Sequence, residues 1–157
     1  MRELRPTSNL VKQAIFNILY TVKDKDFLDL FAGTGQIGSA ALEKGANSVS
    51  FVDIERERIN RIKEKLKNKK NVKFITKDAL KYQKEQPEET FDIIFADPPY
   101  DYKLYDKLIR ESLRVLKAGG TLIVEHKFKN DLSHIEQEFY KESRKYGDTA
   151  ISFWRKE

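Results

Sequence analysis

The stretch DLFAGTGQIG, residues 29–38, places a glycine-rich loop directly behind a short apolar run. Gly33, Gly35 and Gly38 fit the pattern G-x-G-x-x-G, in which glycines allow a tight turn and a close approach of a ligand to the backbone. The free N–H groups of a following helix would face such a ligand. The stretch therefore predicts a buried strand, a turn and a helix that together form a binding site for a nucleoside-containing molecule.

Apolar runs alternate with amphipathic segments along the rest of the chain. Strands are predicted at 27–31, 49–54, 72–76, 91–96, 121–125, 140–146 and 149–154. Helices are predicted at 8–21, at 36–44, at 55–69, around Leu104, Leu108 and Leu113 up to Gly119-Gly120, and more weakly at 131–139.

This alternation predicts an α/β fold with a mostly parallel sheet and helices on both of its faces. The last two strands have no helix between them, so we expect an antiparallel hairpin that turns at Gly147-Asp148. No repeat or linker is visible. We therefore expect a single domain over residues 1–157, with an N-terminal helix at about 8–21 and a sheet core at about 27–157.

The composition narrows the class of protein. Of the 157 residues, 39% are hydrophobic and 35% charged, which is typical of a globular domain with a charged surface. No apolar run approaches the roughly 20 residues of a membrane span, no signal peptide is visible, and there are no cysteines and only two histidines. We expect a cytoplasmic protein without a metal site. The net charge of +5 suits an anionic partner such as nucleic acid, or equally a lysine-rich solvated surface.

Four aspartates lie in or just after predicted strands. These are Asp29, Asp53, Asp78 and Asp97. The carboxyl ends of the strands in such a sheet are where ligands bind. Asp53 and Asp78 could instead cap helices, and Asp29 could hold the glycine loop. Acids at successive strand ends favour S-adenosylmethionine over a dinucleotide, because they would repel a pyrophosphate.

The motifs together resemble a known family. DLFAGTGQIG, FVD (51–53) and DPPY (97–100) resemble Rossmann-like class I methyltransferases that act on exocyclic amines. RPTSNLVKQAIFNIL (5–19) and YGDTAISFWRK (146–156) extend the resemblance, from Arg5 to Lys156, to the 16S ribosomal RNA (guanine-N2)-methyltransferases of the RsmD type. The resemblance implies a seven-stranded, mostly parallel sheet with a C-terminal antiparallel hairpin, S-adenosylmethionine as methyl donor, S-adenosylhomocysteine as product, and ribosomal RNA as partner, free or in the small subunit. A monomer is expected.

The resemblance also implies roles for individual residues. Its cofactor-binding positions correspond here to Arg5, Thr7, Asp29, Phe31, Ala32, Gly33, Thr34, Gly35, Asp53, Ile54, Asp78, Ala79 and Asp97. Its catalytic and base-holding positions correspond to Asp97, Pro98, Pro99 and Tyr100.

The DPPY motif has a chemical rationale. Asp97 can accept one N–H of the target amine and the carbonyl of Pro98 the other, which stabilises positive charge that develops on the nitrogen. The prolines fix the direction of the carbonyls, and Tyr100 can stack on an extruded base. The alternative is a rigid connection with a surface tyrosine. Tyr102 and Tyr105 are expected to pack locally.

Several cations are candidates for phosphate contacts near the mouth of the site. They are Arg2, Arg5, Lys12, Lys103, Lys127 and Lys129. The eight basic residues of the 55–69 segment and its end, including Arg58, are expected to form a solvated face. His126 could line the pocket or be structural.

Two departures from the family stand out. Members usually begin with a hairpin rich in Gly, Arg and Lys, whereas only Met1 to Arg5 precede Pro6 here. The acid at position 53 is aspartate where glutamate is common. Alternative functions are methylation of adenine N6 in DNA or RNA or of a protein glutamine amide, a nicotinamide-dependent oxidoreductase, and a non-catalytic RNA-binding factor.

Overall fold

The computed structural model describes residues 7–157. The elements follow one another as α1 (Asn9–Leu19), β1 (Asp26–Leu30), α2 (Gln36–Glu43), β2 (Ser48–Asp53), α3 (Arg56–Leu66), β3 (Val72–Thr76), α4 (Ala79–Lys84), β4 (Phe91–Ala96), α5 (Tyr105–Val115), β5 (Leu116–Lys127), β6 (Tyr140–Tyr146) and β7 (Thr149–Arg155). In this part of the chain, no helix has the length and apolar character needed to cross a membrane.

The seven strands form one sheet in the order β3-β2-β1-β4-β5-β7-β6. Strands β1 to β5 pair in parallel, while β7 runs antiparallel to both β5 and β6. The predicted mostly parallel sheet and its C-terminal hairpin are thus confirmed. Strand order reverses between β1 and β4, which opens a crevice at their carboxyl ends.

Alternate strand residues bury two separate hydrophobic cores. Phe27, Phe51 and Phe95 pack on one face of the sheet with α1, α2 and α3. Leu30 and Ile94 pack on the other face with α4 and α5. The prediction of helices on both faces is therefore confirmed, and the two cores fix the strand ends that carry the site.

The predicted helix at 131–139 is wrong. This segment forms successive turns, with i to i+3 hydrogen bonds from Ile135 N to Leu132 O (3.1 Å) and from Phe139 N to Glu136 O (3.0 Å). Glu136 has a φ of +46°, which a continuous helix does not permit. Leu132 and Ile135 are buried, and Trp154 Nε1 donates to the Ile135 carbonyl at 2.8 Å. Their spacing therefore reflects contact with the core rather than helical structure.

One helix was missed, and the boundaries of α5 and β5 differ from the sequence prediction. Helix α4 was not predicted, and α5 ends at Val115 rather than at Gly119-Gly120. Leu116 already pairs with Phe91, so β5 begins five residues earlier than expected. Gly120 lies so close to β4 that a Cβ atom would be 2.8 Å from the Asp92 carbonyl oxygen.

Candidate active site

The glycine loop turns sharply at the end of β1. Phe31, Gly33 and Gly35 all have positive φ, at +57°, +58° and +76°. Gly35 N donates to the Ala32 carbonyl at 2.8 Å, which closes the turn. A positive φ costs a phenylalanine conformational energy, so the loop holds Phe31 in a backbone conformation that the residue disfavours.

Gly38 brings α2 close against the sheet. A Cβ atom at this position would lie 2.8 Å from Phe51 Cζ and 3.0 Å from Asp29 Oδ2. The absence of a side chain lets Gly38 N donate to Asp29 Oδ2 at 3.0 Å. The structural role considered for Asp29 is therefore real, since its carboxyl group ties the glycine helix to β1.

Asp29 also faces the crevice. Its side chain is buried, with 1% exposure, and it lines a small cavity together with Asp97. Burial raises the pKa of Asp29 well above its usual value, and the charges of Asp97 and Asp53 raise it further, against the opposing hydrogen bond from Gly38. A cationic ligand in this cavity would relieve that electrostatic cost.

Asp53 is held by backbone groups on two sides. Its Oδ2 accepts from Gly33 N and its Oδ1 from Glu55 N, both at 2.9 Å. Asp53 does not cap α3, because Glu55 occupies the N-cap position. Arg58 Nη1 lies 3.7 Å from Asp53 Oδ1 in a buried ion pair. The expectation that Arg58 belongs to a solvated face is thus wrong.

Asp78 does cap a helix, as one of its two interpretations held. Its side chain accepts from Lys81 N at 3.1 Å and begins α4. The same residue borders the crevice beside Ala79. Capping and ligand contact are therefore compatible at this position, since the cap uses one lone pair of a carboxylate that has about four.

Two cavities lie along the carboxyl ends of the strands and meet at Phe31. The larger, of about 300 Å³, is lined by Phe31, Val52, Asp53, Ile54, Glu55, Arg58, Lys77, Asp78, Ala79, Pro99, Asp101 and Tyr102. The smaller, of about 20 Å³, is lined by Thr7, Asp29, Phe31, Ala32, Gly33, Thr34, Gln36, Ile37, Phe95 and Asp97.

A third cavity, of about 420 Å³, opens on the other side of the DPPY motif. Tyr100 borders it, is 38% exposed, and carries Lys127 Nζ 5.1 Å from its ring centroid. Tyr102 contacts Phe31 edge to face, with 5.3 Å between the two ring centroids. Burial raises the pKa of Tyr102 to about 12. Tyr102 and Tyr105 form a packed pair, as expected, but both also line this cavity.

His126 is structural. Its Nδ1 lies 2.8 Å from the Lys127 carbonyl and its Nε2 2.7 Å from Ser152 Oγ. A carbonyl only accepts, so Nδ1 carries the proton and Nε2 accepts from Ser152. Burial lowers the pKa of His126 below its usual value, and the residue borders none of the three cavities.

The remaining predicted residues divide into two groups. The Thr7 carbonyl accepts from Gln36 Nε2 at 3.1 Å, which ties the start of the described chain to the glycine helix. Lys103 lines the third cavity. The others border none of the three cavities: Gly35 caps α2, Pro98 is buried, Lys12 lies on α1, and Lys127 and Lys129 are exposed at the end of β5. Arg2 and Arg5 lie outside the described residues.

Sequence reasoning missed four charged residues that line the larger cavity. They are Glu55, Arg58, Lys77 and Asp101. Lys77 and Asp101 directly flank predicted site residues, and Glu55 lies two residues beyond Asp53, so the neighbourhood of the strand-end acids was the available signal. Arg58 gave no such signal, because it stands in a run of charged residues.

The fold and the site define a Rossmann-like class I methyltransferase, a class whose methyl donor is S-adenosylmethionine. The solved structure of yhhF from Escherichia coli is similar, with a TM-score of 0.86, 22% identity, and coverage of 99% of this chain and 91% of that one. A SAM-dependent methyltransferase from Aquifex aeolicus has the same fold, with a TM-score of 0.73, 16% identity, and coverage of 91% and 88%.

The chain belongs to the RsmD family of methyltransferases. The family described as "Conserved hypothetical protein 95" matches residues 1–155. Ribosomal RNA small subunit methyltransferase D of Buchnera aphidicola is 31% identical over 82% of this chain and 70% of its own length. The Escherichia coli protein of the same name is 31% identical over 76% of this chain and 59% of its own length.

Proposed function

We propose that the protein transfers a methyl group from S-adenosylmethionine to the exocyclic N2 amine of a guanine in small-subunit (16S) ribosomal RNA. One observation carries this proposal: the DPPY motif borders all three cavities. Asp97 lines the smallest, Pro99 the larger one that adjoins it, and Tyr100 the third. A donor in the first two cavities and an acceptor in the third would therefore meet at this motif.

The two adjoining cavities fit the parts of S-adenosylmethionine. Asp29 and Asp97 suit its ammonium group in the small cavity, where a pyrophosphate would be repelled. Asp53 keeps lone pairs for ribose hydroxyls after its two backbone hydrogen bonds. Ile54, Ala79 and Tyr102 offer apolar surface to the adenine in the larger cavity. The sulfonium supplies an electrophilic methyl group, so the chain has mainly to aim the acceptor. The S–CH3 bond would break as the N–CH3 bond forms, S-adenosylhomocysteine would leave with the electron pair, and the nitrogen would release one proton.

Asp97 and Pro98 would activate the acceptor amine. The carboxylate of Asp97 can accept one N–H, and the fixed carbonyl of Pro98 can accept the other. Both contacts stabilise positive charge that grows on the nitrogen as the methyl group arrives. Stacking on Tyr100 would hold the base plane against this pair of acceptors.

The third cavity offers hydrogen-bond acceptors that suit guanine, beside donors such as Lys103 and Asn130. Asp101, Asp106 and Asp131 line it, and a carboxylate only accepts hydrogen bonds. The Watson–Crick edge of guanine offers N1–H and N2–H donors to such groups, whereas N1 of adenine is itself an acceptor. This arrangement supports N2 of guanine as the methylated atom.

The names of the relatives and the charge of the chain support ribosomal RNA as the substrate. Both relatives described above are called small-subunit ribosomal RNA methyltransferases, and a net charge of +5 suits an anionic partner. We propose that a monomer acts in the cytoplasm on folded RNA, with the assembled small subunit presenting the base better than naked RNA does.

The test is methyl transfer from labelled S-adenosylmethionine to unmethylated small-subunit RNA. Naked RNA and assembled subunits are assayed in parallel, followed by digestion to nucleosides and mass spectrometry. We expect N2-methylguanosine, with more transfer to subunits. Formation of N6-methyladenosine would support the same mechanism with adenine as the target base. Methylation of a glutamine amide in a ribosomal protein, with the RNA unmodified, would overturn the assignment of RNA as substrate.

A further inference from the structure

An exposed phenylalanine stands at the carboxyl end of β5 without a place in either hydrophobic core. Phe128 is 47% exposed and belongs to neither cluster of packed residues. Its backbone N–H donates to the Asp148 carbonyl at 2.8 Å, which anchors it to the tip of the β6–β7 hairpin. Lys145 Nζ lies 4.7 Å from the ring centroid. The fold therefore fixes the backbone that carries an apolar ring in solvent, beside a cation.

A second ring and cation begin one residue away. Lys127 precedes Phe128 and places Nζ 5.1 Å from the centroid of Tyr100. Lys127 also pairs with Thr149 across β5 and β7, and Thr149 Oγ1 lies 3.5 Å from the Tyr100 hydroxyl. The hairpin tip thus connects the DPPY motif to the pair formed by Phe128 and Lys145, which we call the hairpin platform.

A ring beside an ammonium group matches the two chemical parts of a nucleotide. The base has a flat π surface that stacks on an aromatic side chain, and the phosphate is an anion that pairs with lysine. Lys127 and Phe128 are adjacent in the chain, so the two pairs of ring and lysine lie at the same hairpin tip. The chain's excess of lysine and arginine over acids makes nucleic acid the partner that its charge favours.

We infer that the hairpin platform binds a nucleotide flanking the target guanine, with the base stacked on Phe128 and its phosphate on Lys145. The inference rests on the proposed function, since it takes the base on Tyr100 as the methyl acceptor. Tyr100 then holds the target and Phe128 holds the neighbour. Sequence-tolerant stacking would orient the strand across the site without reading its bases.

The experiment measures binding of a fluorescein-labelled, eleven-nucleotide RNA with one central guanine among uridines, by anisotropy. We expect Phe128→Ala to weaken binding about fivefold to a hundredfold, because stacking on one base is lost, and Phe128→Trp to retain it. We expect Lys145→Ala to weaken binding less and to lower the slope against log salt by about 0.7, the value for one phosphate of a single strand.

Matched controls lie near the amino end of β1, at the opposite end of the parallel strands from the hairpin tip. Tyr20 is an aromatic residue with 92% exposure. Lys44 places its Nζ 5.2 Å from the ring centroid of Phe16. Tyr20→Ala and Lys44→Ala are expected to bind RNA as the wild type does. A Phe128→Ala protein that binds like Tyr20→Ala would overturn the platform.

An abasic series and the transfer assay separate this inference from the proposed function. Removing the flanking base that stacks on Phe128 should equalise wild type and Phe128→Ala, and persistence of the difference at every abasic position would refute stacking. If Phe128→Ala weakens RNA binding but the wild type forms no N2-methylguanosine, the proposed methylation is refuted and the hairpin platform is supported. Wild-type methylation with no Phe128 effect would do the reverse, and no RNA binding at all would remove both.

Discussion

The carboxyl ends of the strands form two halves of the candidate site, and each half consists of a different kind of residue. In β1 and at the end of β2, buried carboxylates accept hydrogen bonds from backbone N–H groups of the glycine loop, of α2 and of Glu55. At the end of β5 and the hairpin tip, exposed rings lie beside lysines. The first half is preorganised for one small molecule, since its polar groups are fixed before binding. The second half presents adaptable contacts suited to a long polymer. Asp97 stands where the halves meet, so substitutions on either side should separate donor binding from acceptor binding.

The largest effect is expected at the junction. Asp97→Asn should lower kcat about a hundredfold to a thousandfold, because the amide no longer offers a negative charge to the developing cation. Donor affinity, measured by calorimetry, should fall less than turnover, because Asp29 still faces the ammonium group of the donor. Asp92→Asn is the matched control, since Asp92 lies on the same strand at its opposite end and pairs with Lys117. Near-normal turnover by Asp97→Asn would show that the two halves do not meet at this residue.

Asp29 should dominate the donor half. Asp29→Asn is expected to weaken S-adenosylmethionine binding about tenfold to a hundredfold, the worth of a charged hydrogen bond. RNA binding should be unchanged. Equal losses for both ligands would break the division between the halves.

The same substitution should change the pH dependence of stability. The pKa of Asp29 is raised on folding, mainly by burial. The stability that its protonated form contributes is thus complete below about pH 3.8 and is lost as pH rises through the folded-state pKa. We therefore expect Asp29→Asn, without its ligand, to unfold at higher urea concentration than wild type at neutral pH. A wild-type advantage there would contradict the sign of the shift.

Tyr100 should show the converse behaviour in the acceptor half. Tyr100→Ala is expected to raise the KM for RNA about tenfold through lost stacking, with donor affinity retained. Tyr100→Phe should stay close to wild type, because the hydrogen bond between the Tyr100 hydroxyl and Thr149 Oγ1 is long, at 3.5 Å. A comparable loss in Tyr100→Phe would mean that the hydroxyl, and not the ring face, binds the substrate.

The smallest effect is expected at Arg58, which supports Asp53 from behind. Arg58→Met should weaken donor binding a few-fold and destabilise the protein by about 1–3 kcal/mol, since it leaves a buried carboxylate with fewer partners. Arg61→Met, on the same helix in an exposed pair with Glu57, should cost less than about 0.5 kcal/mol. Thermal unfolding with and without donor compares them. Identical melting temperatures would show that the buried pair contributes nothing.

Local sequence signals predicted the strands well because the five inner strands are largely buried and turn residues bound all seven. The glycine pattern and the DPPY motif carry their own backbone geometry, so the chain locates them without long-range information. A helix was wrongly predicted at 131–139 because the spacing of Leu132 and Ile135 fits a series of turns as well as a helix. Helix α4 has only six residues, too few to establish a helical period. Burial of Arg58 depends on Asp53, which reaches it from another element, so composition of the helix alone indicated solvent.

The close packing at Gly38 has a consequence for how such an enzyme acquires new substrates. Any side chain there would collide with Phe51, so the donor half tolerates little change without loss of the fold. Phe128 and Lys145 are exposed at the hairpin tip and belong to neither hydrophobic core, so no comparable packing constrains them. A lineage can therefore exchange these surface residues while it inherits the packing of the glycine loop and α2 unaltered.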